Sequence, residues 1–228
     1  MSNKEISGER HVAWDDIPDW ALELARQLLS EVKKVDEHTF YHCCRVGRGS
    51  RRLAKALGMN EFEQSVLEFS GLFHDIGKVS IPLDILIKPS KLTKDEIEIM
   101  KSHPLKSAEM IAHLEHVPFI RFLMPGIRCH HEKVDGTGYP YGLVGEKIPL
   151  PARLIAVVDT YDAMTNNRPY RKPLPTQKAI QELLDYSHLQ FDPQMVRVFL
   201  DLLPHKERED KRAAKEEIVI ASILKPAA

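Results

Sequence analysis

The sequence predicts an all-α fold. Apolar residues recur at helical spacing along most of the chain, helix-start signals precede these runs, and strand signals are nearly absent. Only residues 218–224 form a β-branched run, and the end of a helix accounts for it equally well.

Each element follows from local chemistry. Residues 1–14 are polar and expected to be frayed. Asp16 and Pro18 open a helix with Ile17, Trp20, Leu24, Leu28 and Val32 on one stripe. Thr39 is placed to cap a second helix. Its face carries His42, Val46, Gly49, Leu53 and Ala56, and it stops at Gly58. Asn60 with Glu63 makes a capping-box start, after which Phe62, Val66, Phe69 and Leu72 lead up to His74. Residues 77–92 read as loop, with Pro82 and Pro89. Thr93 with Glu96 starts a helix whose face, Ile97, Met100 and His103, ends at Pro104. Residues 105–116 read as a short helix, and 118–131 as an apolar helix closing on His130 and His131. Glycine and proline make 132–150 too irregular for a helix. Pro151 restarts a helix through Asp159 to about Met164. Two more run from Thr176 to about Tyr186 and from Asp192-Pro193 to near Leu203. The charged tail, 205–217, reads as a solvated helix. The expected organisation is an N-terminal helical extension (1–35), a main domain (36–204) and a charged tail (205–228).

The 228 residues suffice for one large domain or two small ones. With 43% hydrophobic and 29% charged residues, the chain falls in the ordinary globular class. Its net charge of −1 gives no bulk attraction for a nucleic-acid polymer or a membrane surface. No apolar run approaches the roughly 18 residues of a membrane span, and MSNKEISGER lacks the apolar core of a signal peptide. A cytoplasmic protein is expected. Cys43 and Cys44 are neighbours and Cys129 is remote, so no disulfide framework is implied. Their spacing matches no zinc ribbon, and buried free thiols are expected.

The stretch LFHDIGK, 72–78, organises the chemistry. Adjacent helical residues point about 100° apart, so His74 and Asp75 do not easily clamp one ion from one face. They sit well between two ions, with the carboxylate as bridge. A lone pair of this kind is equally well read as a hydrogen-bonded helix end. However, His42, His103, His130, His131 and Asp159 also lie at or near the ends of apolar helical runs. A buried imidazole without a partner is costly. One is usually a satisfied core residue, but five with two carboxylates make a shared metal site the simpler explanation. If Asp75 bridges, one ion takes His42, His74, Asp75 and Asp159, and the other takes Asp75, His103, His130 and His131. A bridging hydroxide would leave one octahedral position open on each ion for a phosphate oxygen. Two ions about 3.5–4 Å apart activate water and stabilise in-line displacement at phosphorus. A nitrogen and oxygen set without thiolate favours Fe or Mn over a closed structural zinc.

His42 with Arg45-Val46, HDIGK, His103-Pro104, HHEKVDGTGYP, Asp159 with Asp162, and RPYRK occur in an order that resembles the HD-GYP family. The resemblance spans about 36–203. It implies a compact HD-domain helical bundle with a long irregular loop, and the activity of a metal-dependent cyclic di-GMP phosphodiesterase yielding pGpG or GMP. It implies the same allocation of metal ligands. Gly138, Tyr139 and Pro140 would line the substrate site, with Tyr139 beside the dinucleotide and Glu132 and Asp135 holding the loop. Gly136 and Gly138 permit positive φ. Lys78 would balance charge at the scissile phosphate, as a catalytic residue with Asp75. Arg168 and Arg171 would bind phosphate and guanine. Asp162 would contact substrate or orient a ligand. His38 stands where some members have a glutamate that helps hold a third metal; two ions are favoured, with a third near His38 left open. Two other readings remain: a phosphohydrolase of another cyclic dinucleotide or nucleotide, and a cyclic di-GMP-binding module that docks a sensor, receiver or diguanylate cyclase with little turnover. Oligomeric state is left open.

Overall fold

A computed structural model describes residue 18, residues 20–166 and residues 172–213, with side chains through Leu203. Residues 1–17, Arg168, Arg171 and the 218–224 run lie outside the described residues. The described residues form ten α-helices and no strand, only two isolated bridges. The helices are α1 (Ala21–Val35), α2 (Glu37–Ala56), α3 (Glu61–Phe73), α4 (Leu83–Leu86), α5 (Lys94–Lys101), α6 (His103–Ile111), α7 (Pro118–Cys129), α8 (Leu150–Thr165), α9 (Thr176–Asp185) and α10 (Pro193–Ala213).

The antiparallel pair α2–α3 forms the most extensive packing, and α7 and α8 close over it. Their apolar faces merge in one core that includes Leu53, Phe69, Phe73, Ile120, Met124, Leu154 and Val157. Helix α1 joins the same core, but through Ala21, Ala25, Leu29 and Val32. The buried stripe is therefore turned from the one expected: Trp20 is exposed, while Leu24 and Leu28 pack at its flank. Two of the four residues of that stripe are alanines, which a pattern of large apolar side chains passes over. All three cysteines are buried and free.

Capping is where local chemistry shows most clearly. Asn60/Glu63 and Thr93/Glu96 both form reciprocal capping boxes, as expected. The cap of α2 differs. Asp36 accepts from the amides of His38 and Thr39, and the Thr39 hydroxyl donates to the same carboxylate. A carboxylate accepts from several donors at once and displaces the hydroxyl from the capping role.

Other boundaries also move. A 3-10 turn, Ile76–Ser80, and the short α4 occupy the segment expected to be loop. Pro104 opens α6 where the preceding face was expected to end; without an N–H, proline fits a first turn. Helix α5 buries no residue, and Ile97 on its expected face is exposed. Helix α10 continues to Ala213, so residues 205–213 of the tail are helical in backbone.

Candidate metal centre

Five helices deliver the side chains. His42 stands on α2, and His74 caps the C-terminus of α3 with Asp75 beside it. His103 is the first residue of α6; His130 and His131 follow the end of α7. Asp159 lies on α8. Gly77 allows the seam between them. A Cβ there would stand 2.3 Å from Ser107 N and 2.5 Å from His103 O, so any side chain would push α6 away. Ser107 locks the same seam, accepting from Gly77 N at 2.8 Å and donating to His74 O at 2.7 Å.

The two expected ligand groups are adjacent. His42, His74 and Asp75 form one cluster with ligand atoms within 4.8 Å of one another; His103, His130 and His131 form another. Asp75 faces both. Its Oδ2 lies 3.5 Å from His42 Nε2 and 3.4 Å from His74 Nε2, while its Oδ1 lies 3.0 Å from His103 Nε2. Asp159 Oδ1 joins the first group, 3.0 Å from His42 Nε2 and 3.9 Å from His74 Nε2. His38 stands in neither cluster.

The ring nitrogens point one way. Nδ1 of His74 donates to Gly71 O (2.7 Å), that of His103 to Met100 O (2.8 Å), and that of His130 to Ile127 O (2.8 Å). A carbonyl oxygen only accepts, so these contacts place the hydrogen on Nδ1 and leave Nε2 as the atom facing the centre. His42 Nδ1 pairs instead with Asp162 Oδ2 at 2.8 Å. Asp162 is itself held by Arg45 at 2.7 and 2.9 Å and by Asn166 at 3.0 Å.

These Nε2 atoms crowd without adequate protons. His103 Nε2 lies 3.3 Å from His130 Nε2 and 3.1 Å from His131 Nε2. A proton on His103 could serve one of these neighbours or Asp75, never all three. His42 Nε2, His74 Nε2 and Asp75 Oδ1 are buried without a hydrogen bond of good geometry. Buried polar atoms converging without partners in a dry interior are costly unless a cation gathers them. The residues present therefore fit metal ions.

Electrostatics divide the two groups. Burial alone would lower the His42 imidazole, but the carboxylates of Asp159, Asp162 and Asp75 outweigh it and push it up to about 10. Burial would raise Asp75, but Lys78, His74 and His103 hold it well below the usual carboxylate range. Asp159 is also low: against the burial cost, His42 and His74 favour its charged form. His130 lies well below the ordinary histidine range through burial, reinforced by its neighbouring imidazoles. Burial and then His103 take His131 down to about 3.

The other expected site residues surround this centre. Lys78 donates to Asp75 Oδ2 at 2.5 Å. Tyr139 stacks on His131, ring centroids 4.8 Å apart at 26°. Glu132, buried beneath the loop, accepts from Tyr141 N (2.7 Å) and Leu143 N (2.9 Å). Asp135 holds Thr137 within the loop. Gly136 has the expected positive φ of 82°, while Gly138 is required for close approach: its Cβ would stand 2.3 Å from Lys133 N. Of the roles open to Asp162, its geometry supports orienting His42. Ser107, Lys101 and the clamp from Arg45 were not assigned from sequence. Arg45 lies three residues after His42, on the same helix face, and that spacing was the available signal; nothing local marked Ser107.

The fold and this centre define an all-helical protein with two adjoining His/Asp groups able to hold metal ions. The HD domain family model matches residues 23–195, and the chain belongs to that family. It is 38% identical over 175 residues to a cyclic di-GMP phosphodiesterase of Thermotoga maritima, covering 77% of this chain and 47% of the relative. It is 33% identical over 190 residues to 3'3'-cGAMP-specific phosphodiesterase 2 of Vibrio cholerae, covering 82% and 35%. The chain thus spans about half of the first relative and about a third of the second. The crystal structure of a Vibrio cholerae cyclic GMP-AMP specific phosphodiesterase, V-cGAP3, superposes with a TM-score of 0.66 at 20% identity, covering 91% of this chain and 54% of that one. No described helix is long and apolar enough to cross a membrane.

Proposed function

We propose that this chain hydrolyses the phosphodiester bonds of cyclic di-GMP, using two divalent ions held by His42, His74, Asp75 and Asp159 on one side and Asp75, His103, His130 and His131 on the other. The observation that carries this reading is the division of the two Asp75 oxygens between the imidazole groups. A pair of ions bound there would supply an acidified water and polarise the phosphoryl oxygens. Nitrogen and oxygen donors suit Fe or Mn. Asp75 and Asp159 set the charge of the centre, and their depressed pKa values keep both anionic at neutral pH. Lys78, held at Asp75, offers an ammonium to charge developing on a phosphate. Tyr139, flanked by Gly138 and Pro140, lies on the His131 side of the centre, and these three are proposed to line the substrate site, with Arg168 and Arg171 proposed as further phosphate and base contacts.

The Thermotoga relative's name supports cyclic di-GMP. The Vibrio relative's name supports a second reading, cyclic GMP-AMP. Protein loaded with Fe(II) or Mn(II) without oxygen should linearise one of these, followed by chromatography of the linear dinucleotide (pGpG from cyclic di-GMP, a mixed G/A dinucleotide from cyclic GMP-AMP) and of the mononucleotides. Turnover of neither would refute the proposal, and preference for cyclic GMP-AMP would select the second reading.

A further inference from the structure

Five imidazoles face the centre, but only four are aimed by a hydrogen bond at Nδ1. His131 is the exception: among the described residues, no protein group accepts from its Nδ1. It is also the least buried of the five. Its ring is fixed instead by the Tyr139 face, at 4.8 Å and 26°. The backbone carries the same link, with Tyr139 N donating to His131 O at 3.2 Å.

The loop is built to hold that tyrosine still. Gly138 brings the chain against Glu132 and Lys133, where an added Cβ would meet Glu132 Cα at 2.5 Å. The Glu132 carboxylate then pins the amides of Tyr141 and Leu143. Val134 and Leu143 pack on Cys129, Ile148 and Ala152, anchoring the loop to α7 and α8. Lys101 Nζ lies 5.8 Å from the Tyr139 ring centroid. An imidazole free to rotate about its χ2 torsion would present Nε2 to the centre only part of the time. A flat aromatic face restricts that torsion as a hydrogen bond restricts it elsewhere.

We infer that Tyr139 is a positioning residue for His131: its ring, not its hydroxyl, aims the His131 Nε2 at the second metal ion. This rests on the reading of the five imidazoles as ligands and assigns the tyrosine a task that precedes substrate binding.

The test is metal binding without substrate. Apo protein and the variants Tyr139→Phe and Tyr139→Leu are titrated anaerobically with Mn(II) by calorimetry, and bound metal is counted after gel filtration. Tyr139→Phe should match the parent for both ions. Tyr139→Leu should weaken the second ion about 10–100-fold, the usual cost of removing a group that orients a ligand. Its first ion should bind unchanged, which also verifies folding. Two ions bound by Tyr139→Leu with parental affinity would overturn the inference, as would weakening in Tyr139→Phe equal to that in Tyr139→Leu. A parent chain binding only one ion would overturn it too. None of these outcomes depends on turnover, so a failed hydrolysis assay leaves the inference to be judged separately.

Discussion

The two halves of the centre are built from different material. The first half, His42, His74 and Asp159 with one Asp75 oxygen, is anionic; its His42 is braced by a carboxylate and an arginine, and its His74 by a backbone carbonyl. The second half, His103, His130 and His131 with the other oxygen, is nearly all imidazole, and its rings lean on backbone carbonyls or an aromatic face. The first half rests on the interiors of α2 and α8 and the end of α3; the second sits wholly at helix termini. The contrast teaches that one carboxylate can face two groups of unequal character, which on the proposed reading become two unequal metal sites. Two carboxylates attract a divalent cation more strongly than one, so the first half should fill first.

Removing the bridge should have the largest effect. Asp75→Asn retains shape but removes the charge both halves share. Both ions should be lost, and turnover should fall at least about 10³-fold. Metal analysis beside the rate checks this; loss of one ion only would break the bridging picture. A one-sided change comes next. Asp162→Asn should weaken the first ion about 10–100-fold and spare the second, because Asp162 aims only His42. Equal weakening of both would show that the halves are not separable.

Acidity sharpens the same contrast. His42 sits at about 10, so at pH 7–9 it carries a proton that an incoming cation must displace. The first ion's affinity should therefore rise by up to about tenfold per pH unit and level off near that value. His131, at about 3, and His130, also low, are already neutral, so neither gives the second ion a proton to displace and its affinity should rise less steeply over this range. Calorimetry in buffers of different ionisation enthalpy would count the proton that His42 gives up when the first ion binds.

Much of this was legible before any coordinates. A histidine at the end of an apolar run is marked by the run itself, and the seven expected ligands do meet. Phe62, Val66, Phe69 and Leu72 led to His74 because every one of them is buried. Legibility failed where distant backbone decided the outcome. The α1 stripe depends on which side of the helix α2 and α3 cover, which no local pattern states. Pro104 reads as a stop or a start according to what precedes it, and only the turn at Ser102 settles the choice. The stacking of Tyr139 on His131 joins residues eight apart through a loop whose path is set by Glu132. Ser107 has no signature: it matters because two segments 30 residues apart meet there.

Ser107 supplies the smallest and most discriminating effect. Its hydroxyl spans the seam, bound on one side to the carbonyl of His74, a proposed ligand of the first half. On the other side it belongs to α6, which begins with His103 of the second half. Ser107→Ala should leave a buried carbonyl and a buried amide unsatisfied, at a cost of about 1–3 kcal/mol. Denaturant midpoints of the apo protein would measure that loss. Neither half loses a ligand or the group that aims one, so both ions should weaken slightly and by similar factors, in contrast to the one-sided effect of Asp162→Asn. If Ser107→Ala weakened the second ion alone, α6 would be moving against a fixed first half. The seam would then be a hinge, and the two halves would be coupled by position as well as by the shared carboxylate.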